Sequence, residues 1–112
     1  MNRLSAKLEV SAIMRRAETA GGFAAILRRG DADRGALLLI VNSRGHHVAC
    51  LERALTLDGQ YHWQRAGPCE SASSTEVADF LAKRARFDDD LWAIELDIAE
   101  PERFIAETTL TG

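Results

Sequence analysis

Residues 36–42, ALLLIVN, carry six apolar side chains in succession before the first polar group. Gly35 precedes the run and Ser43-Arg44-Gly45 follows it, so turn-forming residues bound it on both sides. It is too short for a buried helix and lacks the alternation of a half-exposed strand. It reads as a strand covered on both faces at the centre of a sheet. The rest of the chain must supply the neighbouring strands and the cover. A length of 112 residues is one domain, 1–112. Folding at that length hides roughly two thirds of the unfolded chain's surface, enough for a core without staples.

Before that strand, Val10, Ile13, Met14 and Ala17 recur at helical intervals and Gly21-Gly22 supplies a stop, predicting a helix over about residues 10–20. Upstream, Leu4, Ala6, Leu8 and Val10 alternate with Ser5, Lys7 and Glu9. Residues 4–9 stay open between a short strand and a first helical turn. GFAAIL reads as a strand joined to ALLLIVN by DADRG, whose Asp31, Asp33 and Gly35 suit a hairpin turn. SRGHH turns into HVACLERAL, and the hairpin signal LDG at 57–59 leads into QYHWQRA.

SSTEVADFLAKRARF is the clearest helix. Ser73 and Glu76 fit a capping box, Val77, Phe80 and Leu81 form a stripe, and the basic residues fall late, where they suit the helix dipole. LWAIELDI is a fifth strand, and Pro101 opens a short terminal helix. The order α-β-β-β-β-α-β, with that last helix, predicts an α+β fold: a mainly antiparallel sheet of about five strands with helices on one face.

The acidic stretch DDDLWAIELD, 88–97, is the first candidate for chemistry. Strand parity sends Trp92, Ile94, Leu96 and Ile98 to one face and Leu91, Ala93, Glu95 and Asp97 to the other. Glu95 and Asp97 then share a face, some 6–7 Å apart along the strand, a workable acid–base spacing. With no His nearby in sequence and no nucleophile motif, the plainer reading is a solvated acidic face. If the 31–33 turn met the last strand, Asp31, Asp33, Trp92, Glu95 and Asp97 could form a binding site, metal-assisted in an enzyme.

GDADRG matches only the first spacing of a calcium loop, since Gly35 and Asn42 fall where further ligands are needed. His46, His47, Cys50 and His62 are possible soft-metal ligands: His46 and Cys50, four apart on one strand, could point together, and the face of His62 depends on register. Zinc sites use tighter Cys/His pairs, so turn histidines and a core cysteine are the default reading. The topology is also that of metal-dependent nuclease cores, but the third strand offers Glu52-Arg53 where such cores need a lysine. The expectation is no catalytic residue, no metal and no cofactor.

Residues 1–60 hold nine Lys/Arg against six Asp/Glu, and residues 61–112 hold five against eleven. That bipolar pattern suits a protein partner or self-association, a homodimer, better than a nucleic acid, which needs a clustered basic surface. Arg15-Arg16, Arg28-Arg29, Arg84 and Arg86 would form an anion patch only if they converged. Two widely spaced cysteines and no apolar leader predict a cytoplasmic protein with reduced thiols. No run approaches the roughly 20 apolar residues of a membrane helix.

VSAIMRRAETAGGFAAILRRGDADRGALLLIVN, LDGQYHW and DDDLWAIELD together resemble a small alphaproteobacterial family, domain of unknown function 1491, over nearly the whole chain. The resemblance implies a compact bacterial domain and carries no activity with it. The family pattern has Pro where this chain has Asp89, which implies a less rigid approach to the last strand. The leading expectation is a non-catalytic interaction or self-associating module. The alternative is an enzyme or ligand-binding protein built on the acidic residues at 31–33 and 95–97.

Overall fold

The computed structural model describes residues 5–55 and 57–110. Its elements are α1 (Ala6–Thr19), β1 (Phe23–Arg28), β2 (Leu37–Ser43), β3 (His46–Leu55), β4 (Tyr61–Ala66), α2 (Ser74–Phe87), β5 (Trp92–Asp97) and α3 (Pro101–Leu110). This is an α+β fold on a five-stranded sheet of order β1-β5-β2-β3-β4. The residues left open at 4–9 are helical from Ala6, with Ser5 as N-cap accepting a bond from the Leu8 amide; Leu4 lies outside the described residues. Ala6, Val10, Ile13 and Ala17 form the buried stripe of α1, so helical periodicity outweighs the alternation.

β2, the apolar run, is buried from Leu37 to Val41. β3 pairs with it antiparallel and β4 pairs antiparallel with β3, through the two expected hairpins. β5 departs from the expected order. It inserts between β1 and β2, antiparallel to β1 and parallel to β2. A parallel neighbour needs a crossover connection, and the segment containing α2 supplies it. β1 and β2 are therefore not neighbours, and DADRG is not a hairpin turn. It carries the chain across the start of β5, with the Asp31 amide bonded to the Asp90 carbonyl and the Trp92 amide to the Ala36 carbonyl. β5 earns a central place because it is apolar on both faces over its first half.

The helices do not share one face. Buried residues of α1 and α3 join Leu37, Leu39, Val41, Leu51, Trp92, Ile94 and Leu96 in one cluster. Val77 of α2 joins Leu38, Ile40, Cys50 and Leu91 in a second, on the opposite side of the sheet. Even and odd residues of β2 divide between the two clusters. A strand with no polar side needs cover on both, and this corrects the placement of all helices on one face.

The crossing over β5 depends on two glycines. A Cβ on Gly30 would sit 2.0 Å from the Asp90 carbonyl oxygen, and one on Gly35 would sit 2.3 Å from the same atom and 2.6 Å from Trp92 Cδ1. Both obstacles are backbone or a packed ring. We expect Gly30→Ala to lower stability by about 1–3 kcal/mol or more through this overpacking. Urea denaturation checks it, and a loss under about 0.5 kcal/mol would show that the loop can lift off the strand.

Candidate functional site

The acidic stretch divides by role. Asp88 Oδ1 accepts from the Asp90 amide, and the Leu91 amide bonds to the Asp88 carbonyl, so a local turn fixes the approach to β5 without a proline at 89. Arg28 also donates to the Asp89 carbonyl at 3.1 Å. Asp97 accepts from the backbone amides of Arg44 and Gly45, each at 2.9 Å. Both turn residues have positive φ, 52° and 80°. Their two-residue β2–β3 turn points its amides at one carboxylate, and Asp97 holds it. Glu95 accepts from Asn42 Nδ2 at 3.1 Å. Both carboxylates are half-buried and bonded, which corrects the expectation of a solvated acidic face.

The 31–33 turn lies at the opposite end of β5. Asp31 Oδ1 accepts from the Asp33 amide, and its carbonyl accepts from the Trp92 indole N–H at 2.7 Å. Trp92 is 2% exposed. The structure thus brings Asp31 to Trp92 and leaves Glu95 and Asp97 near the far end of the strand. The proposed five-residue grouping does not assemble. Among the described residues, no group of three or more His, Cys, Asp or Glu side chains is placed to hold a metal ion.

Glu95 instead faces a cavity of about 270 Å³ between α2 and the sheet. Leu27, Ile40, Val77 and Leu81 give it apolar walls, while Asn42, His47, Ser74 and Glu95 give it polar groups. His47 reaches it because of a β-bulge. Val41 pairs with Ala49 but Asn42 pairs with His47, so Val48 is the extra residue on β3. The bulge reverses side-chain parity before it. His47, not His46, shares the α2 side with Cys50, which corrects the earlier pairing; His46 is exposed. His47 is 7% exposed, its Nε2 lies 3.3 Å from the Pro68 carbonyl, and its Nδ1 has no hydrogen-bond partner among the described residues.

His47 was one of the possible soft-metal ligands in the sequence, whereas Asn42 was not a candidate for this site. A polar residue closing a buried strand was the one available signal for Asn42. The face of His47 was not legible, because a bulge that shifts parity leaves no mark in the residue pattern.

Cys50 is buried and Cys69 exposed, and both are free thiols. Burial penalises the thiolate and pushes the Cys50 thiol up to about 11. At pH 8, iodoacetamide should therefore modify the folded protein once, at Cys69, and twice in denaturant. Mass spectrometry reads the count, and rapid native labelling of Cys50 would contradict its burial.

The arginine pairs do not converge. Arg84 pairs with Glu52, Arg16 donates to Thr108 and stacks 3.9 Å over the Phe104 ring, and Arg29 lies 5.5 Å over Trp92. Glu52 meets Arg84 of α2 while Arg53 meets Glu9 of α1, so these neighbours project to opposite faces of β3.

A second candidate surface is the sheet edge at β1. Phe23 is 58% exposed and Leu27 47%. No charge lies between Phe23 and Leu27. The other edge, β4, carries His62 and Arg65, and Arg65 pairs with Glu102 of α3.

Residues 4–106 match DUF1491, described as a protein of unknown function. This chain belongs to the DUF1491 family. The crystal structure of a DUF1491 protein from Caulobacter crescentus is similar, with 32% identity, TM-score 0.77, and coverage of 91% of this chain and 94% of that one. Its NMR counterpart gives 31% identity, TM-score 0.79, and coverage of 93% and 94%. The solution structure of an A. tumefaciens protein gives 28%, 0.73, and 86% of each chain. No curated protein matches. The DUF1491 matches support the fold and its alphaproteobacterial relatives, and they bring no activity. No helix among the described residues is long and apolar enough to cross a membrane.

Proposed function

We propose that this DUF1491 protein is a non-catalytic interaction module that works as a homodimer, joined edge to edge through β1. The observation that carries the reading is the contrast between the two sheet edges. An uncharged, apolar edge strand offers unpaired backbone groups to another strand, and proteins that stay monomeric defend such edges with charge. β4 carries His62 and Arg65 within the strand, whereas β1 is uncharged from Phe23 to Leu27 and has its one charge at its last residue, Arg28. A second copy is the natural occupant, because two β1 strands related by a two-fold axis pair antiparallel and bury both Phe23 rings. The opposite charge balance of the chain's two halves also favours contact between copies. Dispersal of the arginines among local partners favours a protein over a nucleic acid as any further partner. Two unpaired thiols fit a reducing, cytoplasmic setting.

Light scattering with sedimentation velocity tests this reading. The wild-type chain should show twice the monomer mass at micromolar concentration. Phe23→Lys puts a charge on the edge at an exposed position, so it should give a folded monomer. A monomer mass for the wild type, or a dimer unaffected by Phe23→Lys, would refute the β1 interface. The cavity under α2 favours a second reading, a ligand-binding role, through its acceptor groups around Glu95.

A further inference from the structure

We propose that the cavity between α2 and the sheet is a binding site for a small organic ammonium ion with an apolar body. This goes beyond the β1 interface and does not rest on it.

The polar atoms of the cavity set the ligand's charge. The Pro68 carbonyl can only accept, so His47 Nε2 carries the proton in that bond. In the neutral ring Nδ1 is then an acceptor, held in a residue that is 7% exposed and met by no donor among the described residues. A buried acceptor without a donor is costly, and a ligand N–H relieves it. Glu95 offers a carboxylate of which one oxygen is used by Asn42 Nδ2. With its amide nitrogen directed to Glu95, Asn42 presents a carbonyl oxygen. His47, Glu95 and Asn42 thus supply acceptors and one negative charge, and an ammonium group, with three N–H donors and one positive charge, is their complement.

An anion is the competing class, since α2 begins beside the cavity at Ser74 and a helix N-terminus favours negative charge. That end is already occupied. Glu76 of the capping box accepts from the Ser73 amide at 3.0 Å, and Ser73 Oγ accepts from the Glu76 amide at 3.1 Å. These bonds hold the Glu76 carboxyl below its ordinary value, so the cap supplies its own anion. The walls set the rest of the ligand. Leu27, Ile40, Val77 and Leu81 are aliphatic, and about 270 Å³ is at the small end of ligand pockets. A single ring or short alkyl chain bearing one amine fits that description.

The test uses the full chain and three matched probes: phenethylammonium, 2-phenylethanol and phenylacetate. Amide and side-chain NMR shifts are followed during titration at pH 7.5. Phenethylammonium should give saturable shifts at Asn42, His47, Val77 and Glu95, with the alcohol at least tenfold weaker and the carboxylate not binding. Glu95→Gln keeps an acceptor for Asn42 and removes the charge, and it should weaken the amine at least tenfold while leaving the alcohol unchanged. His47→Phe, verified as folded by its amide spectrum, should also weaken the amine. The proposal fails if none of the probes saturates, if phenylacetate binds best, or if Glu95→Gln binds the amine as the wild type does. None of these outcomes depends on whether the chain is a monomer or a dimer.

Discussion

Trp92→Ala should lower the free energy of unfolding by about 3–5 kcal/mol, the range for deleting a fully buried large aromatic side chain. The indole belongs to the α1/α3 core with Ile94, Leu96 and Leu37, and it is 2% exposed. Its loss also removes the N–H that the Asp31 carbonyl accepts, leaving the loop over β5 without one of its ties. Gly35, which faces the ring so closely that an added Cβ would lie 2.6 Å from Trp92 Cδ1, has no side chain to move into the void. Urea denaturation at unchanged slope gives the number. A loss below about 1.5 kcal/mol would mean that the loop collapses into the space and that Trp92 does not anchor it.

Glu9→Leu should cost about 3 kcal/mol, at the lower end of the range for removing one partner of a buried ion pair. Arg53 on β3 is 8% exposed and pairs with Glu9 of α1, whose side chain is 24% exposed. The guanidinium also lies 4.9 Å over the Tyr61 ring and donates to the Gly35 carbonyl at 3.4 Å. These contacts orient the guanidinium towards Glu9. The partial exposure of Glu9 keeps the expected cost from the top of the range. A double variant, Glu9→Leu with Arg53→Met, discriminates between loss of the ion pair and simple loss of packing. It should be more stable than Glu9→Leu alone, because the buried guanidinium that lost Glu9 is gone. If the two losses merely add, the pair acts through packing and the electrostatic account is wrong.

Elements with strong local signals were legible in the sequence. The capping box at Ser73–Glu76 fixed the start of α2 within a residue, and Pro101 marked the start of α3. The parity of β5 held as well, with Trp92, Ile94, Leu96 and Ile98 all in one core cluster. The site was less legible. Glu95 was named as a candidate, but its companions in the cavity are Asn42 and His47 rather than Asp31, Asp33 and Asp97. Asp97 is committed to the β2–β3 turn by two amide bonds, a use that sequence spacing 53 residues away cannot reveal.

What the sequence determined by itself is therefore local. ALLLIVN dictated a central strand, because six apolar residues in a row can be satisfied only by cover on both faces. The capping box and Pro101 dictated where α2 and α3 begin, while the start of α1 at Ala6 stayed open in the local pattern. Strand order was decided only in three dimensions. DADRG has turn chemistry whether the next strand lies beside β1 or one place further on, and no local preference distinguishes the two. β5 took the intervening place because pairing with β2 buries its own apolar faces, a gain that exists only once both strands are present. The same holds for the site. A one-residue bulge at Val48 turns His47 towards the cavity, and its energy is settled by the packing of the whole sheet rather than by the residues that form it.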